Sequence, residues 1–211
     1  MRKYILSFLI VVVAALSVDA SGIIKRRNVA PPPPPTVVTD DFNRANENPL
    51  DNGVWTTATG LNAMKIVSNT ATGVVNGGQN ASYYTGAMFA SNQYAQAYLV
   101  AGGGGGGGWC GIVVRWSGNS GYQLGVDAAS DAAYLYRWDS GTQTQVGDAY
   151  SGAINENTTI RLEASGTSIT LKVGGSSVKT WTDNTYSTGS PGIYQYNSNF
   201  TTLDDFEGGD L

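Results

Sequence analysis

Three aromatic residues in the second half of the chain have the spacing of a ligand-binding row. Tyr134, Tyr136 and Trp138 occupy alternate positions, and alternate residues of a β-strand lie on the same face of its sheet. If that face is exposed, the rings form a surface on which sugar rings could stack. The charged residues that could then hydrogen-bond to a bound sugar are Arg115, Asp127 and Arg137.

The residues between these aromatics leave the direction of the row open. Arg137 shares the opposite face with Ala133 and Leu135. A charged arginine indicates that this opposite face is in water, which would turn the aromatics inward, whereas Leu135 favours the reverse. Because aromatic side chains dominate the interiors of β-sandwiches, the sequence favours a buried row.

Carboxylates are concentrated near both ends of the region after residue 36. Asp40-Asp41-Phe42 recurs as Asp204-Asp205-Phe206, a repeated acid–acid–aromatic pattern which predicts that the first and last strands meet. Carboxylate oxygens from two adjoining strands could bind Ca²⁺. The candidate ligands are Asp40, Asp41, Asp204 and Asp205; solvated or turn-capping aspartates are the alternative.

Several kinds of catalytic site are excluded by composition. The chain has no histidine, which removes the commonest general base and the main zinc ligand. Asp205 and Glu207 come closest to a catalytic pair of carboxylates, because they are two residues apart and therefore expected on one sheet face. Their place in the last strand suits a structural role, so the sequence leans away from an enzyme. Cys110 is the only cysteine, and we expect it to be buried.

The charge distribution indicates what the protein does not bind. Of the 16 acidic residues only Asp19 precedes residue 36, whereas five of the 12 basic residues do, which leaves 15 acidic and 7 basic residues in the domain. Nucleic acid is therefore not expected as a partner, because phosphate binding needs clustered basic side chains. The low charged fraction of 13% is typical of an extracellular β-protein.

The first 35 residues have the composition of an export segment. A basic start, an apolar run and the small-residue exit Val18-Asp19-Ala20 predict a signal peptide over residues 1–20. An uncleaved membrane anchor is the alternative. Pro31 to Pro35 predict a polyproline spacer within residues 21–35. We therefore expect a domain over residues 36–211 that is secreted or displayed at the cell surface.

Period-2 patterns dominate this domain. Ile160, Leu162 and Ala164 alternate with polar residues, and a short turn leads to a second such strand at residues 169–173. Together with the other alternating runs there are too many strands for one open sheet. The fold class we expect is all-β, as a two-sheet antiparallel jelly-roll sandwich.

An ordered set of short motifs carries a family resemblance over residues 37–211. The motifs are Asp40 to Ala45, Gly121 to Leu124, Leu135 to Gly141, Thr159 to Glu163, Gly189 to Ile193 and Asp204 to Phe206. Together they resemble the laminin-G-like jelly rolls of the concanavalin A-like lectin/glucanase superfamily. The Glu-x-Asp-x-x-Glu pattern of the glucanases of this fold is absent from the sequence, and so is the histidine that lyases of similar fold use.

Three functional hypotheses follow. The resemblance and the aromatic residues favour a non-catalytic recognition domain that binds a glycan or another cell-surface ligand. The alternative is a self-assembling structural subunit of an extracellular layer, filament or particle. The third hypothesis is a glycan hydrolase or lyase.

Overall fold

The computed structural model describes residues 16–18, 24–26, 34–100, 108–127, 130–197 and 202–211. The chain divides into two units, Met1–Pro34 and Pro35–Leu211. In the first unit, strands Leu16–Val18 (β1) and Ile24–Arg26 (β2) pair antiparallel. Most of the predicted signal peptide and polyproline spacer lies outside the described residues, so both remain predictions. Within the described part of the chain, no helix is long and apolar enough to cross a membrane.

The second unit is built from short strands. In chain order they are Val37–Asp40 (β3), Trp55–Thr57 (β4), Met64–Val67 (β5), Thr70–Gly73 (β6), Gln79–Tyr84 (β7), Gln93–Val100 (β8), Trp109–Ser117 (β9), Ser120–Asp127 (β10), Ala132–Asp139 (β11), Thr142–Gln145 (β12), Tyr150–Ser151 (β13), Thr158–Ser165 (β14), Ser168–Val173 (β15), Ser176–Thr182 (β16), Ser190–Tyr196 (β17) and Thr202–Asp210 (β18).

These strands form two antiparallel sheets. Sheet I has the order β12-β11-β10-β9-β17-β7-β4, with β13 beside β11, and sheet II has the order β16-β15-β14-β8-β18-β6-β5, with β3 beside β18. The inner faces of both sheets contribute to one hydrophobic core, which contains Ile112 and Leu124 from sheet I and Leu162 and Leu171 from sheet II. The predicted all-β sandwich is confirmed.

Three further predictions are also confirmed. Strands β14 and β15 form the expected hairpin, in which Leu162 lies opposite Leu171. The two ends of the domain meet, because β3 pairs with β18 and Asp40 lies opposite Phe206. Cys110 is buried in the core as a free thiol. The C-terminal strand is an interior strand of sheet II, with β8 on one side and β3 and β6 on the other.

Candidate functional site

Sheet I carries a second cluster of buried side chains on the face turned away from sheet II. In β11, Ala133 and Leu135 point into the inter-sheet core, so the alternate residues Tyr136 and Trp138 lie on the other face. We call this surface the aromatic face. It comprises the buried Ala58, Ala81, Val113, Trp116, Trp138 and Tyr194, and the partly buried Leu61, Tyr83, Trp109, Tyr136 and Tyr196 that pack against them, together with Tyr134.

The aromatic face is concave. Gln79 Nε2 lies 3.5 Å from Gln143 Oε1, although β7 and β12 are five strand spacings apart in sheet I. In a flat sheet these strands would be about 24 Å apart, far more than two glutamine side chains can span. Sheet I must therefore curve toward this face.

Two glycines permit the close approach of backbones on the concave side. A Cβ atom on Gly111 would lie 1.8 Å from the Leu124 carbonyl oxygen, and one on Gly192 would lie 2.4 Å from the Ser82 carbonyl oxygen. Both distances are well below van der Waals contact, so only glycine fits at these positions.

Three rings on the aromatic face are nearly parallel. The ring centroid of Trp109 lies 5.2 Å from that of Tyr134 and 5.8 Å from that of Tyr136, with interplanar angles of 14° and 18°. Tyr196 tilts toward the same indole at 6.4 Å. All four side chains are partly exposed. The concave face thus carries a cluster of partly exposed aromatic rings, which we call the platform: Trp109, Tyr134, Tyr136 and Tyr196.

Three glutamine side chains from different strands meet beside the platform. Gln123 Oε1 accepts hydrogen bonds from Trp138 Nε1 at 2.6 Å and from Gln143 Nε2 at 3.0 Å. The hydroxyl of Tyr194 donates to Gln79 Oε1. Gln123 Nε2 is buried and has no hydrogen-bond partner. Sequence reasoning missed these amides, because they converge only through the sheet order and curvature.

Burial raises the pKa of two tyrosine hydroxyls on this face. It raises the pKa of Tyr194, and burial together with the neighbouring Tyr134 raises the pKa of Tyr136. At neutral pH both phenols are therefore available as neutral donors and acceptors.

The preference for a buried aromatic row was wrong for Tyr134 and Tyr136, which are half-exposed on the concave face. Trp138 is buried, but among the residues of this face and not in the core between the sheets. The misleading signal was Arg137. Its guanidinium donates to Asp139 and to Asp183, both at 2.8 Å. Arg137 is therefore an ion-paired residue near the end of β11, on a strand face that is otherwise apolar.

The structure places Arg115 and Arg137 away from the aromatic row, contrary to the prediction. Arg115 is 1% exposed, and it donates to the backbone carbonyls of Ser91, Gly166 and Tyr186. It therefore ties three loops together and does not face a ligand. Asp127, the third predicted neighbour, lies by alternation on the aromatic face and accepts a hydrogen bond from Ser130.

The predicted calcium ligands lie near the seam where β3 and β18 pair. A cavity of about 560 Å³ opens there, lined by Thr39, Asp40, Asp41, Arg44, Asn52, Val54, Tyr84, Gln96, Asp205, Phe206 and Glu207. Two of the four carboxylates cap local turns, since Asp41 accepts from the Asn43 amide and Asp204 from the Asp205 amide. Burial and the nearby Asp205, Asp41 and Asp40 raise the pKa of Asp204.

Asp40 is already engaged. Its carboxylate accepts from Arg44, from the indole of Trp55 at 2.8 Å and from the Phe42 amide. Among the described residues, no three acidic or cysteine side chains are grouped closely enough to hold a metal ion. The predicted calcium site is therefore not found there, and the seam residues do not fit that role.

The two-residue spacing of Asp205 and Glu207 predicted that both carboxylates lie on one sheet face, but the local geometry does not support this. The pairing of β18 with β8 shifts register between Asp204 and Glu207, and Asp205 has a φ of 46°, so simple alternation does not hold. Glu207 accepts a hydrogen bond from the hydroxyl of Tyr94, whose ring lies under the guanidinium of Arg161.

No protein-family model matches the chain, and no curated protein matches it. Solved structures do. The carbohydrate-binding module CBM66 from Bacillus subtilis aligns with a TM-score of 0.61 at 18% identity, over 72% of this chain and 94% of that one. The VIP36 exoplasmic/lumenal domain in its Ca²⁺/Man-bound form aligns with a TM-score of 0.55 at 9% identity, over 75% and 83% of the two chains.

A prokaryotic β-1,3-1,4-glucanase (lichenase) derived from a mouse hindgut metagenome aligns with a TM-score of 0.53 at 10% identity, over 83% of this chain and 99% of the glucanase. At these identities the shared property is the fold. The two-sheet architecture and these similarities together show that the described residues of the second unit have the fold of a concanavalin A-like jelly-roll β-sandwich.

Proposed function

We propose that this protein is a non-catalytic recognition domain that binds neutral glycans on its aromatic face. The observation that carries the proposal is the platform of nearly parallel, partly exposed rings on a concave sheet face. The C–H faces of a sugar ring are apolar, so they stack favourably on aromatic rings, while its hydroxyls need polar groups at the edge. The glutamine amides beside the platform supply such groups.

The charge of the face supports neutral ligands over anionic ones. In the described residues of β7, β9 to β12 and β17, the positions that alternate onto the aromatic face include no lysine or arginine. Asp127 is the charged residue there. An anionic glycan would meet no basic partner on these strands and would be repelled by this carboxylate.

The similar structures support a glycan ligand without deciding it. CBM66 is named as a carbohydrate-binding module, and VIP36 was solved in a Man-bound form. The lichenase shows that the same fold also hosts an enzyme. Together with the predicted signal peptide, these comparisons favour a secreted or surface-displayed domain, and the laminin-G-like motifs remain the narrower proposal for its family.

The test is isothermal titration of the full chain with neutral polysaccharides (barley β-glucan, galactan, mannan and xylan) and with anionic ones (polygalacturonate and heparin). We expect binding to at least one neutral polymer and to neither anionic polymer. Replacing Tyr136 by Ala should weaken binding about 10-fold, since one aromatic contact contributes about 1 kcal/mol or more.

The matched control is Tyr98→Ala. Tyr98 is also a partly buried tyrosine on the outer side of a sheet, but it lies in β8 of sheet II, so its loss should leave binding unchanged. Absence of binding to every polysaccharide, or equal losses in the two variants, would contradict the proposal.

A further inference from the structure

We propose that the amide of Gln123 is a polar subsite of the aromatic face, which donates a hydrogen bond to a hydroxyl or ring oxygen of a bound neutral sugar. This inference rests on the proposed glycan-binding function. It assigns the Gln123 amide as the group that hydrogen-bonds to a sugar whose ring stacks on the platform.

The donor is fixed in place and makes no well-formed hydrogen bond. Gln123 has no exposed surface, and its Oε1 accepts from both Trp138 and Gln143. These two bonds determine which end of the amide is the oxygen, so the nitrogen is held in one direction. Gln123 Nε2 nonetheless makes no hydrogen bond of normal geometry, although the Gln123 side chain interacts with the hydroxyl of Tyr194, whose pKa it lowers against the larger effect of burial. A buried donor without a well-formed hydrogen bond is unfavourable, and an oxygen supplied by a ligand would relieve this.

Gly125 lies between this donor and the platform. A Cβ atom on Gly125 would lie 3.3 Å from Gln123 Nε2 and 3.3 Å from Trp109 Cε3. The amide nitrogen and the edge of the indole are therefore less than 7 Å apart, so one sugar unit could accept a hydrogen bond from the amide while its ring contacts the indole.

The longest contact in the amide cluster joins Gln79 to Gln143. Gln79 Nε2 and Gln143 Oε1 are 3.5 Å apart, beyond the usual range for such a hydrogen bond. Gln79 and Gln143 come from opposite sides of the concave face, so parting them opens the way to Gln123. A sugar hydroxyl can replace this contact, because it accepts from Gln79 Nε2 and donates to Gln143 Oε1. Two hydroxyls, or a hydroxyl and a ring oxygen, would then occupy the cluster.

The chemistry selects uncharged ligands with neighbouring hydroxyls. Amide side chains neither titrate nor carry charge, so they compensate a hydroxyl fully but not a carboxylate or a sulfate. A sugar that lacks one of the two groups would leave a buried amide unpaired, and such a mismatch is strongly discriminated against.

The subsite is tested by isothermal titration of the full chain and its variants with cellotetraose, laminaritetraose, galactotetraose and mannotetraose. Gly125→Ala places a methyl group against both Gln123 Nε2 and the Trp109 indole, and we expect at least about a 10-fold loss of affinity for the bound tetrasaccharide. Gln143→Leu should weaken binding similarly. Gln145→Leu is the matched control. Gln145 is the next residue of β12 on the same sheet face as Gln143, and its side-chain nitrogen donates to the Gly147 carbonyl and not to the amide cluster.

The outcomes separate this inference from the function on which it rests. Loss of binding in Gly125→Ala and Gln143→Leu, with Gln145→Leu unchanged, supports the subsite. Full binding in both variants combined with loss in Tyr136→Ala overturns the subsite and leaves the platform standing. If the wild-type chain binds none of the sugars, the proposed function fails and the subsite with it. Should Gly125→Ala lower the melting temperature by more than a few degrees, Gln143→Leu alone decides.

Discussion

The indole of Trp109 stacks on the ring of Tyr134 at 5.2 Å, although the strands that carry them are not neighbours. Strand β10 runs between β9 and β11, and it presents Gly125 opposite Tyr134 on one side and opposite Gly111 on the other. Because neither glycine has a side chain, the indole can cross β10 and reach the aromatic row. The platform therefore depends on two glycines as much as on its rings.

Ligand binding should be visible through one tryptophan alone. Trp109 is partly exposed, whereas the other four tryptophans are buried; they are Trp55, Trp116, Trp138 and Trp181. Acrylamide should quench a single accessible component of the fluorescence, and a bound glycan should protect it. In Trp109→Phe this component should disappear. Quenching that persists in the variant would show that another tryptophan is accessible and would contradict the described burial.

Arg115 should matter for stability and not for binding. Replacing it with Met leaves the carbonyls of Ser91, Gly166 and Tyr186 without their donor, and hydrogen bonds to charged groups contribute about 1.5–3 kcal/mol each. We expect the free energy of unfolding in urea to fall by about 3 kcal/mol or more. The dissociation constant for a glycan, measured on the folded fraction, should not change. A variant of unchanged stability with weakened binding would show that Arg115 contacts the ligand, as the sequence analysis predicted.

Sequence patterns predicted the layers of this fold better than its site. Alternation in residues 160–173 identified a hairpin because the register of adjacent strands follows from local spacing. The repeated acid–acid–aromatic motif located the paired ends because the same motif occurs in or beside both strands. The platform joins β9 to β11, and the amide cluster joins β7, β10 and β12. Such contacts depend on strand order and sheet curvature, which no local pattern encodes. Arg137 misled because, in the sequence alone, an ion-paired arginine near the end of a strand has the same pattern as a solvent-exposed face.

Asp40 should be far less tolerant of substitution than its neighbour Asp41. The Asp40 carboxylate is 8% exposed and holds Arg44, the Trp55 indole and the Phe42 amide. Asp40→Ala leaves the buried indole N–H of Trp55 and the guanidinium of Arg44 without their acceptor. It should therefore lower the free energy of unfolding by about 3 kcal/mol. Asp41 is exposed and caps one turn, so Asp41→Ala should cost under about 1 kcal/mol. Equal costs in urea unfolding would show that the two carboxylates are equivalent.

Acid should destabilise the protein through Asp183. Burial disfavours the charged carboxylate, but hydrogen bonds from Tyr122, Thr185 and Arg137 outweigh burial and lower the pKa of Asp183 to about 2. Because this pKa is lower in the folded than in the unfolded state, the stabilisation is complete above about pH 4 and is lost as the pH falls toward 2. It corresponds to about 2 kcal/mol.

Asp183→Asn tests this pH dependence. Its free energy of unfolding should lie below that of the wild type at pH 7, and the two curves should converge as the pH approaches 2. Parallel curves over this range would show that the carboxylate does not titrate in the expected window.

The C-terminal strand should be indispensable for folding. Strand β18 lies inside sheet II between β8 and the β3 and β6 strands, and it buries Leu203 and Phe206 in the core. Removing residues 203–211 exposes the edge of β8 and leaves a large void, a loss comparable to two large-to-small core substitutions of about 3 kcal/mol each, in addition to the lost strand pairing. That sum approaches the total stability of a typical domain, so the truncated chain should show no cooperative thermal transition by circular dichroism.

Deleting Leu211 alone, a half-exposed residue beyond the strand, should leave the transition within a few degrees of wild type. A cooperative transition in the longer truncation would mean that the sandwich closes without β18, and that the pairing of Asp40 with Phe206 is not required to complete the fold.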